Sequence, residues 1–135
     1  MQHFSINYVA LLVAAITRFI LGGIWYSPVL FGKPWQGLTR CSPEEMKARL
    51  PKIIPADLIS SYIIAFVLVH AVHYAGATTA GLGAAVGFFN WLGFVAMTTL
   101  MATLYEKRPF KLFLITNGFQ LLSLLLMGAI VAVWV

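Results

Sequence analysis

The chain has 135 residues, of which 61% are hydrophobic and only 10% are charged, and its formal net charge is +5. A soluble domain carries roughly 25% charged residues, and a domain this small leaves much of its surface in water. The composition therefore excludes an ordinary soluble domain and predicts one transmembrane domain over residues 1–135.

Four apolar runs follow one another along the chain, at about 8–31, 55–75, 79–105 and 110–135. Each is long enough to cross a bilayer, which takes about 20 apolar residues in a helix. No positively charged segment precedes the first run, so we expect a retained helix rather than a cleaved signal peptide. The sequence predicts an all-α integral membrane protein with four transmembrane helices arranged as two antiparallel hairpins.

The loop over 32–54 has structure of its own. Ser42 and Glu45 have the spacing of a capping box, and Pro43 suits the first helical turn. Pro51 is expected to end the segment, because proline lacks the backbone N–H that a helix interior needs. These signals predict a short amphipathic helix over 43–50 on the cytoplasmic membrane surface, with a solvated turn as the alternative.

The basic residues predict the orientation. Arg18 lies inside the first apolar run, and the other eight lie between helices 1 and 2 or between helices 3 and 4. Basic loops face the cytoplasm, so both termini are expected outside. The positive charge is thereby explained without a nucleic-acid partner. The eight loop residues are Lys33, Arg40, Lys47, Arg49, Lys52, Lys107, Arg108 and Lys111.

Residues 25–35, WYSPVLFGKPW, hold an unusual concentration of aromatic, proline and glycine residues. Aromatic rings are enriched where hydrocarbon meets headgroups, proline ends a helix, and lysine reaches lipid phosphates. An interfacial helix end explains the stretch, and a binding site is the alternative. The residues concerned are Trp25, Tyr26, Ser27, Pro28, Gly32, Lys33 and Trp35.

The same stretch, together with NWLGF at 90–94, RPFKLFLITNG at 108–118 and LLSLLLMGAI at 121–130, resembles small bacterial membrane proteins of domain-of-unknown-function family 1761. The resemblance implies a four-helix inner-membrane protein. It implies no activity.

Arg18 is the most costly residue, since it lies seven residues before Trp25, about 10 Å into the hydrocarbon at 1.5 Å per residue. Arginine near the centre of a spanning helix costs on the order of 3 kcal/mol and faces protein or water. We expect a polar intramembrane cluster around it, either a packing device or an anion or headgroup site. Its predicted partners are Asn90, Asn117, Gln120 and Asp57.

Two further patterns lie on the helices. Gly83 and Gly87 form a G-x-x-x-G pair, which favours close helix packing within the chain or between two chains. His70 and His73 share a helix face and, with His3 on the same side, form a weak metal candidate. No carboxylate or cysteine is predicted beside them, so no metal and no other cofactor is expected.

Sequence signatures of hydrolases, metalloproteases and nucleotide-binding enzymes are missing. The leading hypothesis is a non-enzymatic scaffold or accessory subunit that acts as a homo-oligomer or with membrane partners and contacts membrane lipid. The alternative is a small oligomeric transporter or channel for an anionic or amphipathic solute, with Arg18 as the selectivity charge.

Overall fold

The computed structural model describes residues 5–40 and 42–134, and every regular element in these two ranges is helical. Helix α1 covers Tyr8–Trp25, α2 Gly32–Thr39 and α3 Pro43–Tyr74. Helix α4, Ala80–Asn90, continues through a π-helical segment, Trp91–Ala96, into α5, Met97–Tyr105, and α6 covers Phe110–Val133.

Four helical segments are long and apolar enough to cross a membrane: α1, α3, the continuous segment Ala80–Tyr105 (the third span) and α6. This confirms the predicted all-helical class and the four apolar helices. The predicted end of the last helix at residue 135 lies outside the described residues.

Side chains before three of the helices explain where those helices begin. The Asn7 side chain accepts hydrogen bonds from the backbone N–H groups of Val9 and Ala10. Ser42 accepts one from Glu45, as the predicted cap requires, and Thr79 accepts one from Leu82. These oxygens satisfy N–H groups that have no partner inside a helix.

The predicted end of a short helix at Pro51 is wrong. Residues 43–50 are helical, but they form the first turns of α3, which continues through Pro51 and Pro55 to Tyr74. Pro51 and Pro55 have no backbone N–H. The carbonyls four residues before them, those of Lys47 and Pro51, therefore receive no hydrogen bond within the helix. The surrounding turns are exposed, so other groups can satisfy the freed carbonyls.

A separate short helix does lie between the first two spans, but it is α2, which the sequence did not predict. Helix α1 ends at Trp25, earlier than expected, and a tight reversal follows in which Gly32 donates its N–H to the carbonyl of Ser27 over 2.9 Å. A Cβ at residue 32 would collide with the backbone of Tyr26 and Ser27. Glycine is therefore required at this reversal.

Helix α6 occupies the centre of the bundle and contacts α1, α3 and α4. Its inner side supplies Leu124, Met127 and Val131 to a core that Leu11 of α1 and Leu68 of α3 complete. Helices α3 and α4 contact each other far less than α4 contacts α6, although the short 2–3 loop predicted close neighbours. The third span is therefore held mainly by α6.

Gly83 and Gly87 lie against α6. A Cβ on Gly83 would collide with the carbonyl of Gly128, and a Cβ on Gly87 would collide with the carbonyl of Leu124. The backbones approach so closely that only hydrogen fits, which maximises van der Waals contact between helices in lipid. Of the two roles left open by the sequence, packing within the chain is the one observed here.

We expect Gly83→Leu or Gly87→Leu to lower the free energy of unfolding by about 1–3 kcal/mol, because overpacking forces the two helices apart. Gly81→Leu is the matched control, since no heavy atom lies within 4 Å of the position its Cβ would take. Denaturant titration in mixed micelles measures all three variants. Equal stability of the three would show that the close α4–α6 contact is not needed.

Candidate functional site

The Arg18 side chain lies inside the bundle with 7% of the residue exposed. Its Nη1 donates to Oδ1 of Asp57 over 3.0 Å and to Oγ of Ser61 over 2.9 Å. Its Nη2 donates to Oε1 of Gln120 over 3.2 Å. The guanidinium carbon also lies 5.1 Å from the centre of the Phe119 ring, within cation–π range.

These contacts join three spans through one side chain. Asp57 and Ser61 are four residues apart on α3, so they present their oxygens on one face, while Gln120 comes from α6. The planar guanidinium carries several donors in fixed directions and can therefore contact two helices at once. We name Arg18, Asp57, Ser61 and Gln120 the arginine cluster.

The ion pair makes the buried charge tolerable. An isolated cation in a low-dielectric interior costs many kcal/mol, and a carboxylate partner with further hydrogen bonds offsets most of that cost. The compensation is incomplete, because Arg18 Nε is buried and has no hydrogen-bond partner among the described residues. The Asp57 side chain keeps 38% of its surface exposed, whereas that of Arg18 keeps 8%.

Two of the predicted partners do not bond to Arg18. Asn90 donates its amide to the carbonyl of Val86 on its own helix, on the third span. Asn117 likewise donates to Phe113 of its own helix, and its Oδ1 is buried without a partner in the described part of the chain. Short amide side chains reach the preceding turn more easily than a neighbouring span, which explains both cases.

The member that the sequence prediction missed is Ser61. A serine in an apolar helix is ordinary, and its spacing of four residues from Asp57 is the only signal that places it beside the same partner. In the structure Ser61 is fully buried.

The aromatic residues at the end of α1 and in α2 pack against α6 and against one another. The indole N–H of Trp25 donates to the carbonyl of Ile115 over 3.0 Å. The ring of Tyr26 lies 5.5 Å from that of Trp35 and 5.6 Å from that of Phe119, centre to centre, in edge-on geometry. Trp25, Tyr26 and Trp35 thus fix the end of α1 next to the arginine cluster.

Burial raises the pKa of the Tyr26 phenol to about 12, while the nearby Arg18 charge lowers it and the Asp57 charge raises it by smaller amounts. The phenol is therefore neutral at physiological pH. Of the remaining stretch, Ser27 donates its hydroxyl to the carbonyl of Ile24 over 2.6 Å. Pro28 lies in the turn that follows, and Lys33 is exposed in the first turn of α2.

The two histidines lie in an aromatic row near the end of α3. A ring nitrogen of His70 lies 2.7 Å from the carbonyl of Phe66, and both His70 and His73 lie about 6 Å from the Tyr74 ring. No group of three or more potential metal ligands occurs within residues 5–40 and 42–134. His3, the third member of the predicted set, and Cys41 lie outside those ranges.

A cleft of about 430 Å³ borders the arginine cluster, between the end of α1, α2 and the first half of α3. Asp57 lines it, whereas Arg18 does not. The ion pair thus presents its negative partner to the cleft and keeps its positive partner inside the bundle.

No curated protein and no solved structure matches this chain. The sequence profile of one family, described as protein of unknown function (DUF1761), matches residues 9–132, nearly the whole chain. The match agrees with the resemblance carried by the motifs at 25–35, 90–94, 108–118 and 121–130. The chain belongs to the DUF1761 family.

Proposed function

We propose that this protein is a non-enzymatic scaffold or accessory subunit of the inner membrane, acting as a homo-oligomer or with other membrane proteins. The observation that carries the proposal is the enclosure of Arg18, whose Nη1 and Nη2 both donate hydrogen bonds to side chains of its own bundle. An arginine held in this way fixes helix packing and leaves little charge for a solute.

The filled centre of the bundle supports the same proposal. Leu11, Ser61, Ser123 and Met127 are fully buried where α1, α3 and α6 meet. Interiors packed in this manner have few voids larger than a water molecule. A pathway for a solute through a single copy would need these side chains to separate.

The outer surface offers contact to lipid or to other membrane proteins. Large apolar side chains are exposed along every span, for example Ile20, Val67, Phe94 and Leu126. Association in lipid relies on helix packing and hydrogen bonds between such faces rather than on a hydrophobic driving force. We therefore propose membrane lipid and a second membrane-protein chain as the partners.

The proposed topology has two antiparallel hairpins with both termini outside. The contacts of α1 with α3 and of α4 with α6 support this pairing of the spans. The eight-to-none distribution of basic residues supports a cytoplasmic location for α2, for the first turns of α3 and for the connection between α5 and α6.

A second candidate function is transport of an amphipathic solute by an oligomer. The observation that favours it is the cleft that reaches Asp57. Arg18 would not be the selectivity charge in the form the sequence suggested, because the guanidinium does not line that cleft. The charge that a solute meets there is a carboxylate.

The topology predicts the behaviour of reporters fused to the C-terminus. Alkaline phosphatase fused after residue 135 should be active, because this enzyme folds only outside the cytoplasm. The same enzyme fused within the 106–109 connection should be inactive. The reverse pattern would contradict the orientation and the depths assigned to the four spans.

The scaffold proposal predicts that liposomes containing the purified protein release entrapped carboxyfluorescein, an anionic dye, no faster than protein-free liposomes. Arg18→Leu should leave that rate unchanged. The matched control is Arg108→Leu, because Arg108 is exposed and pairs with Glu106 at the surface over 2.6 Å. Protein-dependent release that Arg18→Leu abolishes and Arg108→Leu preserves would contradict the scaffold proposal and restore Arg18 as the selectivity charge of an anion transporter.

A further inference from the structure

The cleft beside Asp57 has the size and the lining of a small-molecule site. Its volume of about 430 Å³ lies within the range of roughly 300–1,000 Å³ typical of ligand pockets. Leu50 and Ile53 of α3 form one apolar wall, and on the α1 wall the glycines at 22 and 23 follow the apolar side chains of residues 19 and 20. Trp35 of α2 and Tyr26 add two aromatic rings to the lining.

The inner end of the cleft holds one polar anchor. Asp57 uses Oδ1 for Arg18, and no hydrogen bond to Oδ2 occurs among the described residues. More than a third of the Asp57 side chain remains exposed, 38%, although it belongs to a spanning helix. A carboxylate oxygen with no donor from the described part of the chain can accept a hydrogen bond from a ligand, so Asp57 is the polar anchor of the cleft.

The charges around the cleft select the kind of partner. Arg18 already neutralises Asp57 at 3.0 Å, so the pair as a whole carries no net charge to attract a cation. An anion finds no donor at this end of the cleft, because the exposed group there is a carboxylate oxygen, which only accepts hydrogen bonds. A neutral group that donates a hydrogen bond meets neither penalty.

We propose that this cleft binds a neutral amphiphile whose hydroxyl or amide N–H donates to Asp57 and whose apolar body lies between α1 and α3. The rings of Tyr26 and Trp35 provide flat surfaces, which favours a ligand with an aromatic or unsaturated head. This site is independent of the scaffold proposal, because the bundle is packed whether or not the cleft is occupied.

The test uses 4-octylphenol and 4-octylanisole, which differ only in whether the ring oxygen carries a hydrogen. Each is titrated into the detergent-solubilised full chain, and one-to-one adducts are counted by native mass spectrometry. We expect the phenol to bind at least about tenfold more tightly, since a hydrogen bond to a charged group is worth about one order of magnitude or more in affinity. Equal binding of the two probes, or no adduct with the phenol, would overturn the proposal.

Gly23→Leu locates the site, because Gly23 lines the cleft and a Cβ there meets no atom within 4 Å, so the added side chain has room to enter the cleft. Gly93→Leu is the control, since its Cβ is equally unobstructed but lies on the third span. The phenol adduct should be lost in the first variant and kept in the second. Retention in Gly23→Leu, or loss in both, would show that the cleft is not the site. If Gly23→Leu does not fold, Leu50→Trp fills the cleft from α3 instead.

Discussion

The enclosed guanidinium of Arg18 is the interaction on which the arrangement of the bundle depends. A charge buried inside an apolar helical bundle is unstable unless polar groups surround it, and the apolar faces of the other helices provide few. Asp57 and Ser61 on α3 and Gln120 on α6 provide them, which fixes the rotation of both helices relative to α1. Hydrophobic contact alone selects helix rotation weakly in lipid, because lipid tails are as apolar as the side chains.

The rest of the bundle follows from two kinds of contact around α6. On one side α6 meets the arginine cluster, and on the other its backbone at Gly128 lies against Gly83 of α4. The polar contact sets the register of the first half of the chain, and the glycine contact sets that of the second half. The same arrangement produces the cleft, because Asp57 faces Arg18 while Gly23, which adds no side chain, leaves open space beside it.

The hydrophobic pattern was sufficient to predict the four spans, and the cost of burying Arg18 was sufficient to predict that it needs partners. Asp57 and Gln120 do contact it, whereas Asn90 and Asn117 do not. Depth in the membrane can be estimated from sequence at 1.5 Å per residue, but the direction of a side chain around its helix depends on packing. An amide that bonds to its own preceding turn and one that bonds to another helix have the same sequence signal.

Two features of the helices could also not be predicted from the sequence. Pro51 and Pro55 are strong helix breakers, yet α3 continues through both, since the bonds that they remove lie in exposed turns. The π-helical segment Trp91–Ala96 has no recognisable pattern of its own. It accompanies a long-range contact, the indole N–H of Trp91 donating to the backbone carbonyl of Asn117 over 3.0 Å. A π-helical turn closes its hydrogen bond one residue later than an α-helical turn, which changes the directions of the side chains. Such a segment arises from tertiary contacts rather than local propensity.

A double-mutant cycle between Arg18 and Asp57 tests the central claim most directly. Asp57→Leu alone leaves a buried cation with only neutral partners, so it should be strongly destabilising, whereas removing both charges leaves no unpaired ion. The account predicts that the double variant with Arg18→Leu is more stable than Asp57→Leu alone, with a coupling energy of roughly 1–3 kcal/mol. Additive losses in the free energy of unfolding, with the double variant the least stable of the set, would contradict it.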